Sequence, residues 1–205
     1  MSTPIPTELQ GVWTRTALIL DGNPTDDDTE CVWAQGRSRF TDVRVSPTQP
    51  AGATVFAGTA ACTPDTLTWH HDFNIGLDLP HADEPINDTA AYELDGDQLT
   101  EHGALDLDGT TLRYEEHWQR VSDPGHTPAT WIIEGDGKAV ALAVTIGTWM
   151  VVAHGADGHG GGWTLRRHPD VDSTGPWTVQ FGTSPEAIPL PGSNPPREWP
   201  WQRLD

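Results

Sequence analysis

Apolar and polar positions alternate with period two over most of this chain, and no window favours a helical period over it. Eight strand-like segments fall at about 10–20, 29–35, 38–46, 53–61, 66–74, 89–95, 97–104 and 110–121. Turn chemistry separates them: Asp21-Gly22-Asn23-Pro24, Gln35-Gly36-Arg37, Pro50-Ala51-Gly52, Thr63-Pro64-Asp65, the Pro80 to Pro85 loop, Asp95-Gly96-Asp97 and Asp108-Gly109-Thr110. Five more segments follow near 129–135, 138–146, 148–155, 162–168 and 176–183. Residues 184–201 carry six prolines and no pattern, and read as an extended tail held by Trp199 and Trp201. The expectation is an all-β protein. Eight antiparallel strands with short connections suit a closed up-and-down barrel over residues 1–123, extended by strands and the Pro-rich tail in 124–205. The alternation does not say whether the later strands widen the barrel or form a second sheet.

In a barrel, alternate residues of each strand point inward, so the faces with large apolar groups are the ones to inspect. Phe40, Asp42 and Arg44 share one face; Leu67, Trp69, His71 and Phe73 share another. Leu99 pairs with Glu101 in the same way, and Leu112, Tyr114, Glu116, Trp118 and Arg120 alternate along the eighth segment. With those faces inward, the lumen holds Asp42, Arg44, His71, Glu101, Tyr114 and Glu116 among aromatic walls, joined by Trp33 and Gln35. Burial of charge is costly unless it is paired, and burial raises carboxyl pKa values toward the range useful for proton transfer. Glu116, His71, Asp42 and Glu101 are therefore candidate proton-transfer groups. Arg44 and Tyr114, with Trp33, Gln35, Trp69, Trp118 and Phe40, are candidates to hold a substrate. Two registers stay open. If Val43 and Val45 point inward, Asp42 and Arg44 are solvated, and a reversed fifth strand would bring in His70 instead of His71.

Leu9-Gln10-Gly11-Val12-Trp13 opens the first strand, and Tyr114-Glu115-Glu116-His117-Trp118-Gln119-Arg120 closes the eighth. This arrangement resembles the lipocalin-like (calycin) barrels, including bacterial members of unassigned function that continue such a barrel with further strands. The resemblance covers about residues 9–121. It implies that a late Arg stacks over the Gly-x-Trp indole and closes the barrel floor.

Composition narrows the partners. The chain has 205 residues, with 30 Asp and Glu against 11 Lys and Arg, for a formal charge of −19. Residues 1–123 hold 22 of the acids and six of the bases. A surface this negative repels phosphate backbones and anionic lipids, which argues against nucleic-acid and membrane partners. The longest apolar run, Ala139 to Ala153, is interrupted by Gly147 and is too short for a spanning helix. The start lacks the basic and apolar regions of a secretion signal, so a soluble cytoplasmic protein is expected. Cys31 and Cys62 read as buried thiols, or as a single disulfide. His70, His71, His102, His117, His154 and His159 show no metal-ligand spacing, Gly158 to Gly162 lacks the residues of a phosphate cradle, and Asp26-Asp27-Asp28 lacks the spacing of a calcium loop.

The expected function is a cofactor-independent small-molecule enzyme performing acid-base chemistry in the lumen, of the cyclase, isomerase or dehydratase type and possible in specialised metabolism. The alternative is a carrier or sensor for an apolar or aromatic small molecule. Oligomeric state is not legible.

Overall fold

Strand β1 (Gly11–Leu20) buries its first three residues and ends in a short return, β2 (Asn23–Pro24). The meander continues through β3 (Glu30–Gln35), β4 (Arg39–Val45), β5 (Thr54–Cys62), β6 (Thr66–Ile75), β7 (Asn87–Asp95), β8 (Gln98–Leu107) and β9 (Thr110–Arg120). Each strand pairs antiparallel with the next, and β9 returns to β1 with Trp13 opposite Arg120 and Leu18 opposite Glu116. The result is a closed eight-stranded antiparallel barrel. Closure leaves its strands no open edge, and a bulge between Arg15 and Ala17 bends β1 into it.

The computed structural model describes residues 4–49, 52–76, 87–107, 110–135, 138–156, 159–167, 177–183 and 201–204. The Pro80 to Pro85 loop, the Pro-rich run 184–200 and the turn tips 108–109, 136–137 and 157–158 lie outside them.

The later strands do not widen the barrel. They form a second sheet in the order β14-β13-β12-β11-β10-β15, from β10 (Ala129–Gly135), β11 (Lys138–Ile146), β12 (Trp149–Ala156), β13 (His159–Arg166), β14 (Thr178–Gly182) and β15 (Gln202–Arg203). This sheet lies on the outer faces of β3, β4 and β5. Val32, Ala34, Val43, Val45, Val55 and Ala57 meet Leu142, Val144, Ile146, Val151 and Ala153 there. Small and β-branched side chains let the layers approach closely, and Gly162 shows how closely. A methyl group on it would stand 2.7 Å from Val43 Cγ2. Thr41 donates across the seam to the Val151 carbonyl at 3.3 Å.

The other face of the same strands points into the barrel. Trp13, Cys31, Trp33, Phe40, Phe56, Leu67, Trp69, Leu99 and Trp118 form its core. At the floor, the Arg120 guanidinium lies 4.4 Å from the Trp13 ring centroid, donating to the carbonyls of Gln10 and Glu8 and to Asp97. The expected guanidinium cap over an indole is thus present. Trp13 stacks on Trp33 at 6.0 Å, and Trp33 meets Trp69 and Trp118 edge-on at 5.7 and 5.8 Å.

One expected face is broken. Phe73 does not continue the row of Leu67, Trp69 and His71, because β6 bulges opposite Ala57 and Gly58 and leaves Asp72 unmatched. Beyond that extra residue the alternation inverts, and Phe73 and Ile75 pack toward the second sheet.

Candidate functional site

The lumen changes character along its axis. Register sets Trp33 opposite Asp42 and Cys31 opposite Arg44 across β3 and β4, and Leu99 opposite Trp118 and Glu101 opposite Glu116 across β8 and β9. Trp33, Leu99 and Trp118 thus lie nearer the floor, and Cys31, Glu101 and Glu116 follow one pleat higher on the same strands. The first register that the sequence left open is settled here: Val43 and Val45 face the second sheet, and Asp42 and Arg44 face the lumen.

Two charge systems occupy that upper level. In the first, Arg44 donates from Nε and Nη2 to Asp42 Oδ2 at 3.0 and 2.8 Å, and from Nη1 to Glu116 Oε1 at 3.1 Å. Glu116 Oε1 also accepts from Arg15 Nη1 at 2.6 Å, and Arg15 reaches on to Asp27. Arg44 lies over the rings of Phe56 and Trp118, at 5.3 and 5.7 Å. Burial disfavours its charge, but Asp42 and Glu116 outweigh that and hold its pKa well above the ordinary arginine value. For Asp42 burial wins over Arg44, and its pKa is raised.

The second system centres on Tyr114. Its hydroxyl donates to Glu101 Oε1 at 3.0 Å and lies 3.4 Å from Asp88 Oδ1. One hydroxyl proton cannot serve two carboxylates, so full hydrogen bonding requires a proton on a carboxyl. Burial, then Glu116 and Asp88, raise Glu101 well above the usual carboxylate range; burial likewise raises Asp88. Burial and Glu101 push the Tyr114 phenol upward as well, so it stays a donor. Gly103 makes the geometry possible. It sits opposite Tyr114, and a methyl group on it would fall 2.2 Å from the ring.

Among the ten residues lining the cavity are Trp33, Phe40, Asp42, Arg44, Phe56, Trp69, His71, Asp88, Glu101 and Trp118. The open space between them is about 30 Å³, room for a couple of water molecules. Several buried polar atoms there have no partner: Asp42 Oδ1, His71 Nδ1 and the indole nitrogens of Trp33 and Trp118. His71 packs between Phe40 and Phe56, and burial, helped by Arg44 and His70, lowers its pKa to about 4. It is neutral at physiological pH. Among the described residues no group of three or more His, Cys, Asp and Glu is disposed to hold a metal ion. A wider groove of about 700 Å³ lies beneath the floor, between Pro4–Gln10 and Asp123–Pro128, and one of its two lining guanidinium groups, Arg120, is spent on Trp13, Asp97 and backbone carbonyls.

Residues 11–197 match the sequence family described as Protein HRI1. The chain belongs to the HRI1 family. A crystal structure of an uncharacterized protein from Saccharomyces cerevisiae has the same fold, with a TM-score of 0.74 at 13% identity, covering 95% of this chain and 98% of that one. No curated protein matches the sequence. The structural match spans the barrel and the second sheet together, and neither match names the lipocalins.

In this HRI1-family chain, the lumen brings together most of the residues singled out by alternation: Trp33, Phe40, Asp42, Arg44, Trp69, His71, Glu101 and Trp118 line the cavity, and Tyr114 and Glu116 bond to its walls. Two are placed elsewhere. Gln35 is fully buried near the floor, its amide donating to the Gly36 and Arg39 carbonyls, so it ties a turn and does not reach the cavity. His70 is exposed on the outer face of β6, because the bulge that inverts β6 comes after His71.

Alternation also held residues that went unread. Arg15 is two positions beyond Trp13 and shares its face, and Asp88 shares the inward face of Ala90, Tyr92 and Leu94. Phe56 was masked by the apolar character of both faces of β5. Cys31 and Cys62 are free thiols; burial pushes the Cys31 thiol up to about 12, which leaves it inert.

Proposed function

We propose that this HRI1-family protein is a cofactor-independent enzyme that moves protons on a small molecule inside the barrel, with isomerase, cyclase or lyase chemistry. The observation that carries the reading is the pairing of Glu101 with Tyr114 and Asp88, a proton-holding system, against Asp42 and Glu116, carboxylates clamped by arginines, in one aromatic-walled lumen. Neighbouring carboxyls held in different surroundings, one set by guanidinium groups and the other by a phenol, are the arrangement that acid-base catalysis needs. Asp42 acts as the base through its unpartnered Oδ1, strengthened by burial; Glu101 acts as the acid, with Tyr114 orienting it.

Two features support this over the carrier reading. Free space of about 30 Å³ suits a small reacting group and not the body of an apolar ligand. A barrel that only stores an apolar molecule gains nothing from buried ionisable groups, which cost stability. The acidic surface favours a small-molecule partner over nucleic acid. The Arg120 cap over Trp13 supports grouping the barrel with the lipocalin-like calycins as well.

The test is an untargeted one. Purified protein is incubated with a small-molecule extract, and mass spectra are compared with those from Asp42→Asn and Glu101→Gln. The expected result is a compound consumed by the native protein and spared by both variants. A compound retained by the native protein with unchanged mass, and nothing consumed, would favour the carrier.

A further inference from the structure

Resting on the reading that the lumen is the working site, we infer that the group it admits is a compact cation: a primary ammonium head seated between Asp42 and the Glu101–Asp88 pair. Among the described residues one guanidinium lines the lumen, and it is already committed. Arg44 spends three of its five N–H donors on Asp42 and Glu116, and those two carboxylates balance its charge and would repel an incoming anion. The carboxyls are different. Asp42, whose side chain is 7% exposed, offers a buried oxygen with no donor.

Across the cavity, Glu101 stands directly opposite Glu116, and like charges directly opposite on one face of a sheet are destabilising unless one is neutralised. Glu116 has two arginines; Glu101 has one phenol, shared with Asp88. A proton on Glu101 would meet that need. An ammonium group meets it equally, donating to Asp42 Oδ1 on one side and to Glu101 or Asp88 on the other. The groups facing it are Asp42 and Arg44 from β4, His71 from β6, Asp88 from β7 and Glu101 from β8, with Tyr114 and Glu116 behind them on β9. His71 is neutral and adds no repulsion.

The walls suit a cation too. Aromatic rings line the space, and two of them, Phe56 and Trp118, already carry the Arg44 guanidinium over their faces, so the walls tolerate positive charge. Size agrees: about 30 Å³ accepts an ammonium head. Beside Arg44, a quarter of whose side chain is exposed, the rest of the molecule has a way out.

The probes are methylammonium, methanol and formate, titrated at constant ionic strength against the indole N–H signals of Trp33 and Trp118. Saturable shifts with methylammonium alone are expected, weakened at least tenfold by Asp42→Asn and by Glu101→Gln and unchanged by Glu93→Gln on the exposed face of β7. If Asp42→Asn unfolds, Glu101→Gln carries the test, since a glutamine still accepts from Tyr114. Equal or stronger binding of methanol or formate, or no saturable shift with methylammonium, overturns the inference. Ammonium binding without turnover of any compound would sink the catalytic reading alone; turnover of an anion without ammonium binding would sink this one alone.

Discussion

Strands β3 and β4 are buried on both sides, and the two sides differ in kind. Toward the second sheet they present Val32, Ala34, Val43 and Val45; toward the lumen they present Cys31, Trp33, Phe40, Asp42 and Arg44. The outer seam is what packing alone selects: small, branched and free of ionisable groups. The inner face is buried too, yet keeps charges that must be paired to be tolerated. Burial is common to both, so it cannot be the reason for the charges. Function is the economical account of the difference.

The largest effect should come from making the two sides alike. Val43→Asp places a lone carboxylate in the seam, where Gly162 leaves no room and Leu142 and Val151 offer no donor. A loss of about 4 kcal/mol or more is expected, seen as a urea midpoint near zero or as insoluble protein. Full stability in this variant would mean that the seam is wetter than its residues suggest. Next in size is Arg44→Met, which strands Asp42 and leaves Glu116 with Arg15 alone. The cost should be about 3 kcal/mol in urea unfolding, and adding Asp42→Leu should recover most of it, because a buried pair is replaced by apolar volume more cheaply than it is broken.

These two residues also show how much was legible. Alternation put Asp42 and Arg44 on one face with Phe40, and Val43 and Val45 on the other, but either face could have been the inner one. Both are buried, and hydrophobicity cannot rank two buried faces. The second sheet decides the matter, and its docking is a long-range contact that period two does not encode. The Trp13–Arg120 cap was expected only from the resemblance to the calycins, and closure of β9 onto β1 sets the two residues opposite each other. Phe73 was misplaced because a bulge adds one residue without leaving a composition signal, although Gly58, facing the bulge, is its trace. Arg15 and Asp88 lay on readable faces, and only their cross-barrel partners reveal what they do.

A third test uses pH. In the folded protein His71 titrates near 4, below its ordinary value of 6.5. The unfolded chain therefore takes up this proton first as pH falls, so the stability held by neutral His71 is complete above about pH 6.5 and is lost progressively toward pH 4. His71→Phe, which keeps the packing against Phe40 and Phe56, should flatten this acid limb by about 2 kcal/mol between pH 7 and pH 4. An unchanged limb would show that His71 is solvated, and that the lumen is more open to water than the seam by a wide margin.

The smallest effect has the opposite sign. Glu101 has its pKa raised in the folded state, so its contribution is fully present below the unfolded carboxyl pKa and is lost as pH climbs through the folded one. Near neutrality and above, the folded protein must either hold that proton against solvent or bury a second carboxylate opposite Glu116. Glu101→Gln removes the choice while keeping an acceptor for Tyr114, and should raise stability at pH 8 by about 1 kcal/mol with little change at pH 4. A carboxyl kept for packing would behave otherwise, since its replacement would lose stability at every pH. A variant that is more stable at pH 8 and yet inactive, or unable to hold an ammonium group, would show that the inner face gives up stability for chemistry where the outer face does not.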